Sequence, residues 1–401
     1  MKIAKPTISK TIEFLICISF LSLTFRHEIS SICLYLTGFL SIIELTRRKT
    51  NYFDKNNVVL LFFISYFLVE IIGMFYTKNL YFGIKDIESK LLLLIGSLII
   101  IAIKFSENQI LKFLKFYVIG INLSLIYLMG MCFINYRETL IIPKYIDFSI
   151  LMHPTYFSFC LLIAGIIILE FHNKIINNSF FKIVLLIFIS IGIILTDSKA
   201  GLICYFITLI FFSVKYILKL KLKVKIIVFC LSIFASLFLV NQLSKSRFTE
   251  LFSQLQTTNK FNNYTGSYNS TEIRIIIWRS AKNVIKENLI MGTGTGDIKD
   301  ELIKQFKKTN FINGIEKEYN FHNQFLQIIG TFGIILGFPL ILIYLKMFYN
   351  LIKEKKMFFS FLTLMFIINF LFESFLETKA GIETFVIFNT IYFSTNKEIK
   401  I

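Results

Sequence analysis

A histidine and a basic, tryptophan-containing helix in one polar stretch of this chain have the residue types needed for acid–base and phosphate chemistry. His322 and Asn323 stand where a long polar segment gives way to an apolar run. An imidazole can take a proton from a hydroxyl group near neutral pH, so His322 is a candidate general base. Asn323 is suited either to orient that ring or to cap the helix that follows. A polar interfacial residue that only starts the helix is the other interpretation of His322.

The basic residues lie on a helix predicted for Glu272–Glu287. Arg274 and Trp278 are four residues apart and share one face of it, and Arg279 and Lys282 follow. A guanidinium presents planar donors that match phosphate oxygens, which suits Arg274 to bind a diphosphate and to stabilise one that departs. A basic face that contacts solvent or lipid headgroups is the interpretation that these residues alone leave open.

Two further candidates lie at predicted membrane boundaries. Lys199 is in a short connection between two apolar runs, where a charge is either functional or an interfacial anchor paired with Asp197. His153 precedes Pro154 at the start of another run and is placed to line a cavity, although proline at a helix start needs no functional reason.

A glycine cluster at residues 292–296 predicts a turn, followed by a second short helix over Asp297–Thr309. The cluster does not follow a strand, so neither a dinucleotide-binding nor a P-loop interpretation applies. The 4 histidines are scattered and the acids of the polar segment do not pair, so the sequence predicts no metal site.

The framework that must position these residues is helical and membrane-embedded. The chain of 401 residues is 55% hydrophobic, with 47 Phe and only 4 Pro. Its apolar runs have the length of about 17–25 residues that a helix needs to cross a bilayer, and continuous runs exclude a barrel. We therefore predict an all-α polytopic integral membrane protein with about twelve transmembrane helices. The predicted spans are residues 11–25, 29–46, 58–76, 90–104, 110–134, 153–170, 181–196, 200–218, 225–240, 323–346, 357–376 and 380–395.

The spans form a single membrane domain that one long polar loop interrupts. Residues 1–240 carry the first nine predicted spans, residues 241–321 form the loop with its short amphipathic helices, and residues 322–401 carry the last three. Lysines and arginines of the short connections concentrate on one side, which the positive-inside rule assigns to the cytoplasm. This orientation places both termini in the cytoplasm and the loop outside it.

The net charge of +18 does not indicate a nucleic-acid partner. Most basic residues lie at the cytoplasmic ends of spans, where anionic lipid headgroups attract them, and none form a run interleaved with aromatics. The 6 cysteines all fall inside predicted spans, which favours buried thiols over disulfides.

Four motifs in order resemble the O-antigen ligase and O-antigen polymerase superfamily of membrane-embedded bacterial glycan ligases and polymerases. They are Ser198-Lys199-Ala200-Gly201, Arg274 to Trp278, Gly292 to Gly296, and His322-Asn323 to Leu326. Each motif alone is weak, but their order and spacing are fairly specific. Two departures stand out: Lys199 replaces an arginine of many members and loses its bidentate fork, and Gly330-Thr331-Phe332-Gly333 lacks a common acid.

The resemblance implies a GT-C-like fold and metal-independent, inverting glycosyl transfer without a cofactor. The donor would be a glycan linked to undecaprenyl diphosphate, and the acceptor lipid A core, another glycan or a protein, at the outer face of the bacterial inner membrane. Carried over, Arg274 would bind the diphosphate and His322 would be the base or orienting group for the acceptor hydroxyl. We expect the remaining substrate contacts from Lys199, Arg279, Trp278, Asn323, Lys282 and His153.

A multi-span transporter or flippase of lipid-linked glycans is the alternative function. It predicts charged residues distributed through the spans along a path, and Glu70, Glu170 and Glu373 lie in predicted spans. Most such acids lie near span ends, whereas the basic residues concentrate in the loop. A structural membrane protein without chemistry would leave the His322 motif unexplained.

Overall fold

The computed structural model of the chain describes residues 6–47, 57–217 and 270–394. Within these ranges the regular elements are all helical, so the all-α prediction is confirmed. The first part contains α1 (Pro6–Ser22), α2 (His27–Arg47), α3 (Val58–Met74), α4 (Leu80–Ala102), α5 (Glu107–Thr139), α6 (Pro154–Glu170), α7 (His172–Ile175), α8 (Ser179–Leu195) and α9 (Lys199–Ile217). The second part contains α10 (Ser270–Glu287), α11 (Ile298–Lys308), α12 (Ile312–Lys317), α13 (Gln324–Phe332), a π-helical turn (Gly333–Gly337), α14 (Phe338–Lys353), α15 (Met357–Phe370), a 3₁₀ turn (Phe375–Glu377) and α16 (Lys379–Phe393).

The apolar helices have the character of a membrane protein. Among the described residues, 4 helices are long and apolar enough to cross a bilayer: α2, α5, Lys199–Tyr216 of α9, and the run Gln324–Lys353. Helices α3, α6, α8 and α15 are apolar but shorter. The predicted span 225–240 and the predicted first part of the long loop lie outside the described residues.

Helix α4 begins well before the predicted span 90–104. Asn79 caps it, its side chain accepting the N–H of Phe82 at 3.3 Å. The first turns contain several charged residues, which is why their sequence does not look like a span. Lys90 of this helix is buried, with only 1% of its surface exposed. Its charge is tolerated there because its ammonium lies 2.6 Å from the Glu377 carboxylate.

The centre of the bundle is α6, whose residues are buried on nearly every side, as expected for a helix that is apolar all round. Aromatic side chains pack α15 and α16 beside it. The rings of Phe366 and Phe385 are 5.3 Å apart, and the ring of Phe375 lies 5.0 Å from that of Tyr156 in α6. This packing fixes the short connection between α15 and α16, which carries Glu373.

The described part of the polar segment folds into a small layer with its own core. Apolar residues of α10 and α11 face each other, so the predicted helices over Glu272–Glu287 and Asp297–Thr309 are both present. The apolar faces of the two helices cover one another, while Arg274 of α10 is partly buried and Lys282 and Lys286 are exposed. The buried core of this layer comprises Ile276, Ile277, Ala281, Val284, Ile298, Leu302, Phe306, Phe311 and Phe321.

The predicted glycine turn joins this layer to the bundle. Gly292 has φ +74°, and a Cβ there would lie 2.3 Å from the carbonyl oxygen of Thr331, so a side chain has neither the backbone nor the space it needs. The N–H of Gly294 donates to the same carbonyl at 3.0 Å. The Asp297 carboxylate accepts two backbone N–H groups of the α3–α4 connection at 2.8 and 2.7 Å. Together these bonds fix α10 relative to α13.

Candidate functional site

The turn after α15 positions a buried carboxylate among elements that are distant in sequence. Helix α15 ends at Phe370, and the backbone N–H of Glu373 donates to the carbonyl of Asn369 at 2.9 Å. The following residue, Ser374, accepts the N–H of Asn323 through its hydroxyl at 3.2 Å. The turn therefore presents the Glu373 side chain next to the start of α13.

The Glu373 carboxylate bridges His322 and Arg274, the two residues that the sequence predicts to be catalytic. Its Oε2 lies 2.9 Å from Nδ1 of His322, and its Oε1 accepts a hydrogen bond from Nη2 of Arg274 at 2.6 Å. The hydroxyl of Thr155 on α6 donates to the same Oε1 at 3.5 Å. Glu373 is only 2% exposed, so these contacts satisfy a charge that burial would otherwise penalise.

The partners of Glu373 stabilise its negative charge. Burial alone would raise the pKa of this carboxyl, but the hydrogen bond and charge of His322 and the charge of Arg274 outweigh burial and lower the pKa to about 2. The carboxylate is therefore ionised throughout the physiological range. An ionised, fixed acceptor can hold a histidine ring in one orientation.

His322 has an unusual backbone conformation that the cap of α13 supports. Its φ of +47° lies in the left-handed region, which is uncommon for a residue with a side chain and clusters at functional sites. Asn323 then caps α13 by accepting the N–H of Leu326 at 3.0 Å, and its amide donates to the carbonyl of Leu371 at 3.1 Å. Of the two roles predicted for Asn323, the structure assigns capping.

His153 also belongs to this neighbourhood. It precedes α6, and its ring lies 6.1 Å from that of Tyr145. Burial lowers the pKa of His153, the charges of His322 and Arg274 act in the same direction, and Glu373 opposes them. His153 lies two residues before Thr155, whose hydroxyl contacts Glu373, so it lies on the margin of the cluster formed by Glu373, His322 and Arg274, which we call the Glu373 cluster.

Lys199 contacts the start of α10. It is the first residue of α9, and its ammonium donates to the hydroxyl of Thr271. Thr271 lies one helical turn before Arg274, so the cation of Lys199 approaches the same end of α10. The charge that the lysine retains in place of arginine is thus close to the Glu373 cluster.

The remaining candidates on α10 differ in position. Two buried donors have no hydrogen-bond partner in the described structure: Nε of Arg274 and Nε1 of Trp278, one turn further along. Arg279 is half-buried and its side chain leaves the helix about 100° round from that of Trp278. Lys282 is exposed. Arg274 and Trp278 are therefore the residues of α10 that offer donors beside the Glu373 cluster.

The sequence alone does not mark Glu373 as a site residue. There Glu373 resembles Glu70 and Glu170, the acids of predicted spans that the transporter alternative would use. The available signal was an acid at the end of an apolar run, on the side of the membrane predicted to contain Arg274 and His322, since such acids pair with cations. Only the folded turn reveals which cations these are.

Comparison with known families adds an independent finding. Residues 184–341 match the model of the O-antigen ligase family, and no curated protein matches the chain. The matched segment runs from α8 into α14 and contains Lys199, Arg274, the glycine turn and His322. Glu373 lies beyond its end. Residues 184–341 are therefore similar to an O-antigen ligase domain, and the resemblance of the motifs to the O-antigen ligase and polymerase superfamily is confirmed over this segment.

Proposed function

We propose that this protein transfers a glycan from undecaprenyl diphosphate to an acceptor hydroxyl at the outer face of the bacterial inner membrane. The transfer is metal-independent and inverts the configuration at the anomeric carbon. The observation that carries the proposal is the single buried carboxylate of Glu373, which contacts both a candidate base and a candidate diphosphate ligand. In this proposal about twelve spans hold the site, with both termini in the cytoplasm and residues 241–321 outside it.

His322 acts as the base in this mechanism. Because Nδ1 faces the Glu373 carboxylate at 2.9 Å, its N–H donates there, and Nε2 is the nitrogen that accepts the proton. The acceptor oxygen attacks the anomeric carbon while its proton passes to Nε2. The bond between that carbon and the phosphate oxygen breaks, and the diphosphate leaves with the electron pair. Glu373 stabilises the imidazolium that forms, as the carboxylate of a hydrolase triad does.

Arg274 binds the diphosphate and stabilises its developing charge. Its Nη2 is held by Glu373 at 2.6 Å, which orients the guanidinium plane. Its Nε and the Nε1 of Trp278 are buried donors without a protein partner, which a phosphate or sugar oxygen would satisfy. Lys199 supplies a second cation at the start of α10. Donors prearranged around a departing charge lower the barrier most effectively where water is excluded.

The remaining substrate contacts of the proposal come from residues around this cluster. Asn323 fixes the position of His322, and His153 lines the margin of the site from α6. Arg279 and Lys282 extend the basic character of α10 for the glycan or for lipid headgroups. The acceptor is lipid A core, a protein, or the end of a second lipid-linked glycan, which distinguishes a ligase from a polymerase.

The three acids that suggested a transporter, Glu70, Glu170 and Glu373, are paired with basic residues in the structure, which weakens the transporter alternative. Glu170 pairs with Lys215 at 2.6 Å, and Glu70 lies 3.6 Å from the buried ammonium of Lys90. Glu373 contacts two residues of the ligase motifs. Acids engaged in this way hold helices and a site together rather than line a path.

The experiment compares lipid-linked and surface glycans from a deletion strain complemented with wild type, His322→Ala or His27→Ala. His27 lies at the start of α2 and serves as a matched control. We expect His322→Ala alone to lose glycan transfer at unchanged membrane levels. Surface single repeats without polymer identify a polymerase, and long carrier-linked chains that do not reach the acceptor identify a ligase. A normal profile in His322→Ala would contradict the proposal.

A further inference from the structure

A cavity of about 300 Å³ lies beside the segment that carries His322. One face of α4 forms one wall, and α11 with the residues before His322 forms the other. Its volume is at the lower end of the range of small-ligand pockets, about 300–1,000 Å³, which suits one sugar ring rather than several. The lining residues that matter for recognition are Phe82, Asp86, Ser89, Tyr319, Asn320 and Glu377.

A buried lysine fixes two carboxylates of this cavity. Nζ of Lys90 lies 2.6 Å from Oε2 of Glu377 and 3.6 Å from Oδ2 of Asp86, while Lys90 is 1% exposed. The amide of Gln324 donates to the other oxygen of Glu377 at 3.3 Å. The two carboxylates are thus held in place as hydrogen-bond acceptors and are not free to rotate away from a ligand.

The charge of the cavity differs from that of the Glu373 cluster. The Lys90 ammonium faces three acids, because Glu70 also lies 3.6 Å away. At the rim, Lys299 is paired with Glu318 and lies 5.0 Å above the ring of Phe82. Lys85 lines the cavity as well, so ammonium groups and carboxylates are both present, and the carboxylates held by Lys90 can accept hydrogen bonds from hydroxyl or amino groups of a ligand.

The remaining lining groups suit a sugar ring. Planar carboxylates and amides can each engage two neighbouring hydroxyls, and Asn320 provides such an amide. Tyr319 and Phe82 provide aromatic surface for the apolar face of a pyranose. Fixed polar groups together with aromatic surface are the usual composition of a small-molecule site.

The cavity is joined directly to His322. Asn320 lines the cavity, and its side-chain oxygen accepts the backbone N–H of His322 at 3.0 Å. The ring of Tyr319 lies 5.6 Å from the ring of His322. A ring bound in the cavity would therefore contact the same short segment that positions the base.

We propose that this cavity is a subsite for one uncharged or amino-bearing sugar residue of a glycan substrate. The inference rests on the proposed glycan transfer and extends it, because it separates a sugar site from the diphosphate site at Arg274. The sugar belongs either to the acceptor or to the donor chain, and the chemistry of recognition is the same for both.

The test uses a cavity-filling variant and a matched control on the same helix. Ser89→Phe places a ring in the cavity without touching the Lys90 ion pairs, since the Ser89 hydroxyl donates only to the Lys85 carbonyl at 3.1 Å. Ile84→Phe introduces the same residue at a position that is 61% exposed. The probe is the free oligosaccharide released by mild acid from the host's lipid-linked glycan, which lacks the diphosphate. Binding to the purified full-length protein is measured by calorimetry, with thermal unfolding as the check on folding.

We expect Ser89→Phe to weaken oligosaccharide binding at least tenfold, and Ile84→Phe to leave it unchanged. In transfer assays Ser89→Phe should raise KM far more than it lowers kcat. A higher KM for the acceptor assigns the sugar to the acceptor, and a higher KM for the lipid-linked donor assigns it to the donor chain. Wild-type binding and KM values in a folded Ser89→Phe variant would overturn the sugar site. Binding at the cavity by a wild type that transfers nothing would instead overturn the proposed function.

Discussion

Nδ1 of His322 and Oε2 of Glu373 lie 2.9 Å apart, although 51 positions separate the two residues in the sequence. The other carboxylate oxygen of Glu373 accepts a hydrogen bond from Arg274. One buried side chain therefore orients the proposed base and a cation at the same time. In the proposed mechanism, activity depends on a residue outside the segment that the family model matches.

Replacing Glu373 with glutamine should reduce the rate of glycan transfer by about 10²-fold or more, because the neutral amide no longer stabilises the imidazolium or anchors Arg274. The measurement is kcat of the purified protein with lipid-linked donor. Glu316→Gln is the control. Glu316 is exposed and lies in the polar segment 241–321, so this variant should retain wild-type kcat. A Glu373→Gln rate within twofold of wild type would remove this carboxylate from the mechanism.

The low pKa of Glu373 predicts how pH affects stability. A carboxyl whose folded pKa is about 2, below its ordinary value of 4.5, contributes stability that is fully present above pH 4.5 and declines as the pH falls towards 2. The difference in thermal unfolding temperature between wild type and Glu373→Gln should shrink as the pH falls below 4.5. Scans of the detergent-solubilised proteins test this. A difference that stays constant down to pH 3 would show that the native contacts do not hold the charge.

Lys90→Met should strongly destabilise the protein. The substitution removes the buried ammonium that faces Glu70, Asp86 and Glu377, and breaking a buried ion pair by removing one partner costs about 3–5 kcal/mol. Lys85→Met, on the same helix at an exposed position, should change the free energy of unfolding little. Equal thermal unfolding temperatures for the two variants would contradict a structural role for Lys90.

Features that depend on neighbouring residues in the sequence can be predicted from it, whereas features that depend on contacts between distant residues cannot. The helices around Arg274 and after Asp297 follow local patterns of apolar residues and caps, so they are present where predicted. The roles proposed for Arg274 and His322 follow from residue type and motif order. The start of α4 was predicted ten residues too late, because charges in its first turns look unsuited to a bilayer.

The missed features depend on contacts between distant parts of the chain. Lys90 is compatible with a buried helix only because Glu377 approaches it from the connection before α16. Glu373 becomes a site residue only when the turn after α15 packs beside the cap of α13. No local pattern marks either pairing, since each acid taken alone resembles the charged end of a span.

Gly292→Ala should destabilise the join between the polar layer and the bundle by more than about 2 kcal/mol. A side chain in the left-handed region costs about 1–3 kcal/mol, and its Cβ would also lie 2.3 Å from the Thr331 carbonyl oxygen. Gly130→Ala is the control, because no atom lies within 4 Å of a Cβ there and alanine favours the interior of α5. The thermal unfolding temperature should fall for Gly292→Ala and stay level or rise for Gly130→Ala. Equal behaviour would mean that the glycine turn does not constrain the site.

The central claim is that His322 and Arg274 have separate roles in one transfer reaction. The most direct measurement is of donor affinity and single-turnover rate for purified wild type, His322→Ala, Arg274→Ala and the neighbouring control Arg279→Ala, with the native lipid-linked glycan. We predict that His322→Ala binds the donor normally but loses transfer, that Arg274→Ala loses both donor affinity and transfer, and that Arg279→Ala is affected least. Normal transfer by His322→Ala, or donor affinity unchanged by Arg274→Ala, would contradict the proposed mechanism.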